Sequence, residues 1–188
     1  MKSVIHIADF FSNEIRGGGE LVDEIVVSSL VERGYKVARV KSKQVTEKLI
    51  KDNADKLFIV SNFVMLNPAC LRLLQTCDYV IYEHDHKYIV GRDPSPYKDY
   101  KVPANKLTNL EFYRNAKAVF AQSKLHAEVI SKNIRGANVV NLGCSLWSES
   151  ELETLQDYVD TKKNGKMAVL NSANQVKGTY QAKSFCDK

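Results

Sequence analysis

Five consecutive residues, Glu83-His84-Asp85-His86-Lys87, bring two imidazoles, two carboxylates and an amine together directly after a short apolar run. Histidine hydrogen-bonds sugar hydroxyls and phosphate oxygens, and it exchanges protons near neutral pH. His84 and His86 are therefore the candidate catalytic residues, with Asp85 and Lys87 as candidate substrate or phosphate contacts. The H-x-H spacing would also put both rings on one side of an extended strand, where they could chelate zinc. No third ligand is placed by the sequence, so no metal site is assigned. The competing reading is a solvated polar loop.

A second stretch, Gly17-Gly18-Gly19-Glu20, stands just before a clear helical pattern. Glycine lets a ligand approach the backbone closely, and the free N–H groups of a first helical turn attract an anion such as diphosphate. All four residues are candidate phosphate-binding positions, set against a plain flexible turn with Glu20 complementing the helix dipole. The stretch is not a P-loop, which needs G-x-x-x-x-G-K-[ST]. It is not a dinucleotide fingerprint either. Eight residues intervene between Ala8 and the first glycine, and Lys41 and Lys43 follow the second strand where an acid is expected. A nucleotide-cofactor oxidoreductase fails on that spacing.

Two weaker stretches complete the set. In Gln122-Ser123-Lys124, Ser123 suits a helix cap, and Lys124 opposes the dipole of the first turn unless an anion lies nearby. In Asn174-Gln175-Val176-Lys177-Gly178-Thr179, Lys177 stands at a strand-to-helix turn and could meet a phosphate. His6 and His126 read as structural or surface residues. No serine sits in a G-x-S-x-G elbow.

The elements that must position these residues alternate. Short apolar runs predict strands at Val4 to Ala8, Lys36 to Val40, Leu57 to Ser61, Tyr79 to Glu83, Ala118 to Ala121 and Val139 to Leu142. Helical spacing predicts helices at Glu20 to Arg33, Pro68 to about Thr76, Ala104 to Asn115 and after Ser123. Gly34 and Gly136 suit helix ends. This rhythm implies a parallel sheet with helices on both faces, the α/β doubly wound Rossmann-like class. Ligands of such sheets bind at the carboxyl ends of the strands, which is where the candidate stretches fall.

After Gly143 the rhythm breaks. Residues 1–143 read as one Rossmann-like domain. Residues 144–165 read as a linker with an acidic amphipathic helix between Glu149 and Asp160. Residues 166–188 read as the first strand–helix unit of a second, truncated domain, with a strand at Lys166 to Leu170 and a helix from Gly178. A lone strand and part of a helix cannot bury a core.

Composition narrows the function classes. Among 188 residues, 44% are hydrophobic and 26% charged, as in an ordinary globular chain. The net charge of +5 is spread thinly, with no basic stretch interleaved with aromatics, so nucleic acid is not an expected partner. The four cysteines form no C-x-x-C pair, which fits a reduced, cytoplasmic protein. His6 and Asp9 interrupt any signal-peptide core, and no apolar run is long enough to span a membrane, leaving at most peripheral contact.

Taken in order, these stretches resemble the large GT-B family of retaining glycosyltransferases often called family 4. Gly17-Gly18-Gly19-Glu20-Leu21-Val22 resembles that family's G-G-x-E helix start. Glu32-Arg33-Gly34-Tyr35-Lys36-Val37 resembles its E-R-G-[HY]-x-V helix end. The loop Glu83-His84-Asp85-His86, the phrase ending in Gln122-Ser123, the strand Val139-Val140-Asn141-Leu142-Gly143 and the segment Met167 to Gly178 follow in the family's order and cover nearly the whole chain.

The resemblance implies transfer of a sugar from a nucleotide sugar to a hydroxyl acceptor, glycan or lipid-linked, as in polysaccharide biosynthesis. The anomeric configuration would be retained, and no metal or other cofactor would be needed. It puts the glycine loop near the donor diphosphate and the acceptor, and the His84 to Lys87 loop on the acceptor side. It makes Lys177 the counterpart of the donor-side lysine that neutralises the leaving diphosphate. The chain departs from the family pattern in having no arginine between Asn171 and Val176. The family's paired glutamates would lie beyond residue 188, so the chain alone is expected to bind donor poorly and to need a missing C-terminal domain or second chain. The alternative is a stand-alone glycan- or phosphate-binding module, or half of a split enzyme.

Overall fold

A computed structural model describes residues 2–159, 162, 165–173 and 177–187. The chain divides into two compact units, Met1–Trp147 and Ser148–Lys188. The division falls inside the expected linker.

The first unit contains a six-stranded, all-parallel sheet: β1 (Ser3–Ala8), β2 (Lys36–Lys41), β3 (Leu57–Val60), β4 (Tyr79–Tyr82), β5 (Val119–Ala121) and β6 (Val139–Asn141), in the order β2-β1-β3-β4-β5-β6. Its register sets Ile7, Val60, Ile81, Val119 and Val139 in one row. The strands therefore end together, and the loops after β1, β3, β4 and β5 emerge along a single edge.

Alternation along the strands sorts side chains onto two faces. Val4, Ile59, Val80, Tyr82 and Phe120 pack with Val22, Val26 and Leu30 of helix α1 (Gly18–Glu32). Ile5, Ile7, Phe58, Val60, Tyr79, Ile81 and Val119 pack on the other face, in the main core. That core is closed by α2 (Glu47–Asp52), α3 (Pro68–Leu74), α4 (Leu110–Arg114) and α5 (Lys124–Asn133). Right-handed crossovers dictate this split: only the β1-to-β2 step runs toward one edge, so α1 alone takes the first face. The doubly wound Rossmann-like class is thus the observed one. Beyond α1, that face carries an apolar groove of about 370 Å³ lined by residues such as Val26, Val80, Phe120 and Leu146.

Local chemistry explains the boundaries. Thr46, Asn67 and Ser123 cap α2, α3 and α5 by accepting backbone N–H bonds. Pro68 occupies the permissive first turn of α3. Gly34 and Gly136 adopt positive φ just past α1 and α5, as helix-ending glycines do.

Three expectations differ. α2 was not anticipated, because six residues are too few for periodicity to register. The helix expected from Ala104 to Asn115 is only a 3-10 turn, Ala104–Lys106, followed by α4. Between them the backbone pairs with the loop after β4: Val90 N–H donates to Lys106 C=O and Thr108 N–H to Tyr88 C=O. Asn109 then takes a left-handed conformation that breaks helical continuity. Residues 166–170 form no strand. A strand needs a neighbouring strand to complete its ladder, and among the described residues no strand lies beside this segment.

The second unit contains α6 (Glu149–Val159) and α7 (Thr179–Cys186). Ser148 and Glu151 cap the start of α6 reciprocally, and the Thr179 hydroxyl ties the start of α7 to Leu170 and Ser172. Asp160 and Asn174 to Val176 lie outside the described residues. No helix among those described is long and apolar enough to cross a membrane.

Candidate functional site

Strand parity divides the Glu83–Lys87 loop between the two faces of the sheet edge. Residues 80, 82 and 84 point toward α1, whereas 79, 81 and 83 point toward α4. Two polar clusters result.

On the α1 side, His84 is held at both ring nitrogens. Nε2 lies 3.2 Å from Asp23 Oδ1, and Nδ1 lies 2.7 Å from Gln122 Nε2. An amide nitrogen can only donate, so Nδ1 accepts and the Nε2–H donates to the carboxylate, leaving both ring nitrogens with a partner. His6 sits beneath, wholly buried. Its Nε2 is 2.8 Å from Ser61 Oγ and 3.6 Å from Asp23 Oδ1. Burial holds its pKa below the ordinary value although Asp23 pulls the other way. Among the described residues one oxygen of Asp23 and one nitrogen of His6 have no partner, which leaves this buried network short of two hydrogen bonds.

The triple glycine meets this cluster. A Cβ on Gly19 would stand 3.4 Å from the His84 ring, and one on Gly17 would collide with the Glu20 carboxylate. Only Gly18 has open space around it. The first turn of α1 therefore presses against His84, and glycine at position 19 permits that approach. Gly17 supplies the N-cap without a side-chain bond. The N–H groups of Gly18, Gly19 and Glu20 have no intrahelical partner, as at any helix start.

On the α4 side, Glu83 is fully buried. Its carboxylate receives the Lys87 ammonium at 3.3 Å, the Asp85 N–H at 2.9 Å and the Tyr113 hydroxyl. Burial alone would raise its pKa, but Lys87, Tyr113 and the Asp85 N–H outweigh it and hold the carboxyl at about 2. Lys87 is likewise raised, because Glu83 and Asp85 overcome the effect of burial. Arg92 pairs with the second oxygen of Asp85 at 2.6 Å.

His86 lies between the clusters with a left-handed φ of 57°. Its Nδ1 is 2.8 Å from the Tyr88 hydroxyl, and its ring meets His126 edge-on at 4.7 Å between centroids. Burial lowers the pKa of both imidazoles, that of His126 to about 4 with His86 adding to the effect. His86 keeps Nε2 without a hydrogen-bond partner among the described residues, so it is the histidine of this loop with a nitrogen open to a ligand. Non-glycine residues with positive φ are confined, among the described residues, to positions 86–109, at His86, Arg92, Asp99, Tyr100 and Asn109. Each costs about 1 kcal/mol or more and persists only where surrounding contacts enforce it.

The remaining predicted residues are scattered. Ser123 caps α5 by accepting the His126 N–H at 3.1 Å. Lys124 is exposed in the first turn of α5, 4.0 Å from Glu128. Lys177 is exposed in the second unit, just before Gly178 at the start of α7. Among the described residues no group of three His, Cys, Asp or Glu is placed to hold a metal ion.

Sequence reasoning missed Asp23, Ser61 and Tyr113, while His6, read as structural or surface, is structural. Asp23 carries a legible signal: it is a carboxylate within the inward stripe of α1, beside Val22 and four residues from Val27. Asp9 was also passed over. It is buried after β1 and accepts the backbone N–H groups of Val64 and Met65 and the Ser42 hydroxyl, joining the loops after β1, β2 and β3.

No family model and no curated protein matches the chain. Among solved structures it is similar to an alpha-glucosyltransferase (AGT) in complex with UDP, at 15% identity and a TM-score of 0.46. The match covers 75% of this chain and 43% of that one.

Proposed function

We propose that the chain forms the acceptor-side domain, and the opening of the donor-side domain, of a GT-B glycosyltransferase. The reaction moves a sugar from a nucleotide-sugar donor to a hydroxyl acceptor, glycan or lipid-linked, with retained configuration and without a metal. One observation carries this reading: the first turn of α1 lies against His84 at the carboxyl edge of the sheet, with Gly19 so close that an added Cβ would stand 3.4 Å from the imidazole ring.

That arrangement offers three aligned N–H groups and a helix dipole to a diphosphate, beside a loop rich in sugar-binding side chains. The amides of Gly18, Gly19 and Glu20 would stabilise charge as the diphosphate leaves. Asp23 and Gln122 fix the His84 ring, which makes His84 the residue that shapes the diphosphate pocket. His86, with Nε2 open, contacts the sugar or acceptor hydroxyl. Lys87 is neutralised by two carboxylates, so it acts by holding the loop. A role for Lys177 on the donor phosphate rests on the sequence resemblance alone. The apolar groove beside α1 favours part of a larger enzyme over a self-contained binding module.

The test is turnover of a nucleotide-sugar panel by the native gene product, with alkyl glycoside and lipid-phosphate acceptors, read by mass spectrometry and NMR of the anomeric proton. The expected result is acceptor-dependent nucleotide release, retained configuration, indifference to chelator, and a loss of at least about a hundredfold in His86→Asn. Failure to turn over any donor overturns the assignment, and an inverted product overturns the mechanism.

A further inference from the structure

A cleft of about 550 Å³ opens between α3 and the loop after β4, within the range of small-molecule sites. Its lining mixes polar and apolar groups, the apolar ones including Phe63, Val64, Leu66, Leu71 and Ile89, of which Val64 is well exposed. Its charged groups are Arg72, Lys87 and Arg92. The nearby carboxylates Glu83 and Asp85 are engaged by Lys87 and Arg92. The Arg72 guanidinium, in the last turn of α3, is exposed and has no hydrogen-bond or ion-pair partner among the described residues. One cationic fork therefore remains unmatched beside these apolar groups, and Arg92 engages Asp85 through a single nitrogen, leaving further N–H donors.

The loop is held in this shape deliberately. Arg92 takes a left-handed φ of 58° immediately after Gly91, with its N–H bonded to Ile89 C=O at 2.9 Å. A non-glycine residue in that region is uncommon, and here it accompanies a guanidinium at the cleft.

We propose that this cleft binds an amphipathic phosphate monoester: the phosphate between Arg72 and Arg92, and an apolar body along Val64 and Leu71. Guanidinium forks match phosphate bidentately, and the apolar side chains add affinity that a free anion cannot gain. The inference rests on the reading above only in identifying this ligand with the acceptor. The binding itself requires no donor.

Titration of the protein with hexyl phosphate, followed by calorimetry and amide NMR, tests the proposal. The expected result is saturable binding that shifts the amides of Val64, Arg72 and Arg92. Inorganic phosphate, hexanoate and hexanol should each bind at least several-fold more weakly. Arg72→Gln should weaken hexyl phosphate about tenfold, the loss expected for one charge-assisted contact. Val64→Glu, at a side chain 59% exposed, should weaken it further by repulsion while the fold is kept. Equal affinity for inorganic phosphate overturns the apolar half, and equal affinity for hexanol overturns the anionic half. Preference for hexanoate reassigns the head group to carboxylate, and unchanged binding by Arg72→Gln overturns the site. If hexyl phosphate binds here but no nucleotide sugar is turned over, the cleft stands and the glycosyltransferase reading falls. The reverse outcome removes the cleft alone.

Discussion

Replacing Lys87 by Met would leave the Glu83 carboxylate fully buried without its ammonium partner. Met preserves most of the apolar stem, including its place near the Phe63 ring, so the change is chiefly one of charge. Removing one member of a buried pair costs about 3–5 kcal/mol, much of it for the stranded charge. In a domain of this size that lowers the melting temperature by roughly 10 °C. The double variant Glu83→Gln/Lys87→Met should recover most of the loss, because a neutral amide can accept the Asp85 N–H through its oxygen and donate its NH2 to the Tyr113 hydroxyl, replacing both bonds that Glu83 now receives. In the wild type, the Glu83 carboxyl at about 2 lies below its unfolded value. Its contribution is complete above the unfolded value and is lost as pH falls toward 2. In Lys87→Met, burial without a cation raises the carboxyl above its unfolded value, so the penalty is full at neutral pH and shrinks as the group protonates. Urea unfolding of the three proteins at neutral and mildly acid pH measures this. A penalty under about 1 kcal/mol, or a double variant as unstable as the single one, would refute the account of the buried pair.

Gly19→Ala should leave the melting temperature within a few degrees, since alanine's helix propensity offsets the tight approach to His84. It should nonetheless weaken nucleotide binding, as read by calorimetry, because the added methyl group stands 3.4 Å from the His84 ring in the first turn of α1, where the diphosphate is proposed to bind. Asp9→Ala should cost about 2–4 kcal/mol in urea unfolding, because it strands two backbone N–H groups and the Ser42 hydroxyl. His126 is held neutral to about pH 4, and His6 and His86 are also lowered. An unfolded imidazole protonates near 6.5, so below that value the unfolded state binds more protons, and stability should fall as pH drops from about 6.5 toward 4. Histidine-ring NMR should place the His126 midpoint near 4.

The sheet was legible because buried parallel strands leave short apolar runs, and each run from Val4 to Val139 falls on an observed strand. Ser123 as a helix cap was legible for the same local reason. What escaped depended on distant pairing. Residues 106–108 bond to residues 88–90 across the fold, and no local propensity encodes that. The candidate loop was found as a cluster, but its partition was not. Parity alone sends His84 to Asp23 and Glu83 to Tyr113, and that becomes readable only once the end of β4 is fixed. His6 looked unremarkable until the parallel register set Ser61 beside it and α1 laid Asp23 across both.

Titration of the isotope-labelled protein with a nucleoside diphosphate, read by amide NMR, tests the central claim most directly. The account predicts saturable shifts centred on Gly18, Gly19 and Glu20, with accompanying changes in the His84 ring, reduced in Gly19→Ala. Saturating nucleotide that leaves those amides unmoved, or shifts only surface lysines remote from the sheet's carboxyl edge, would contradict it.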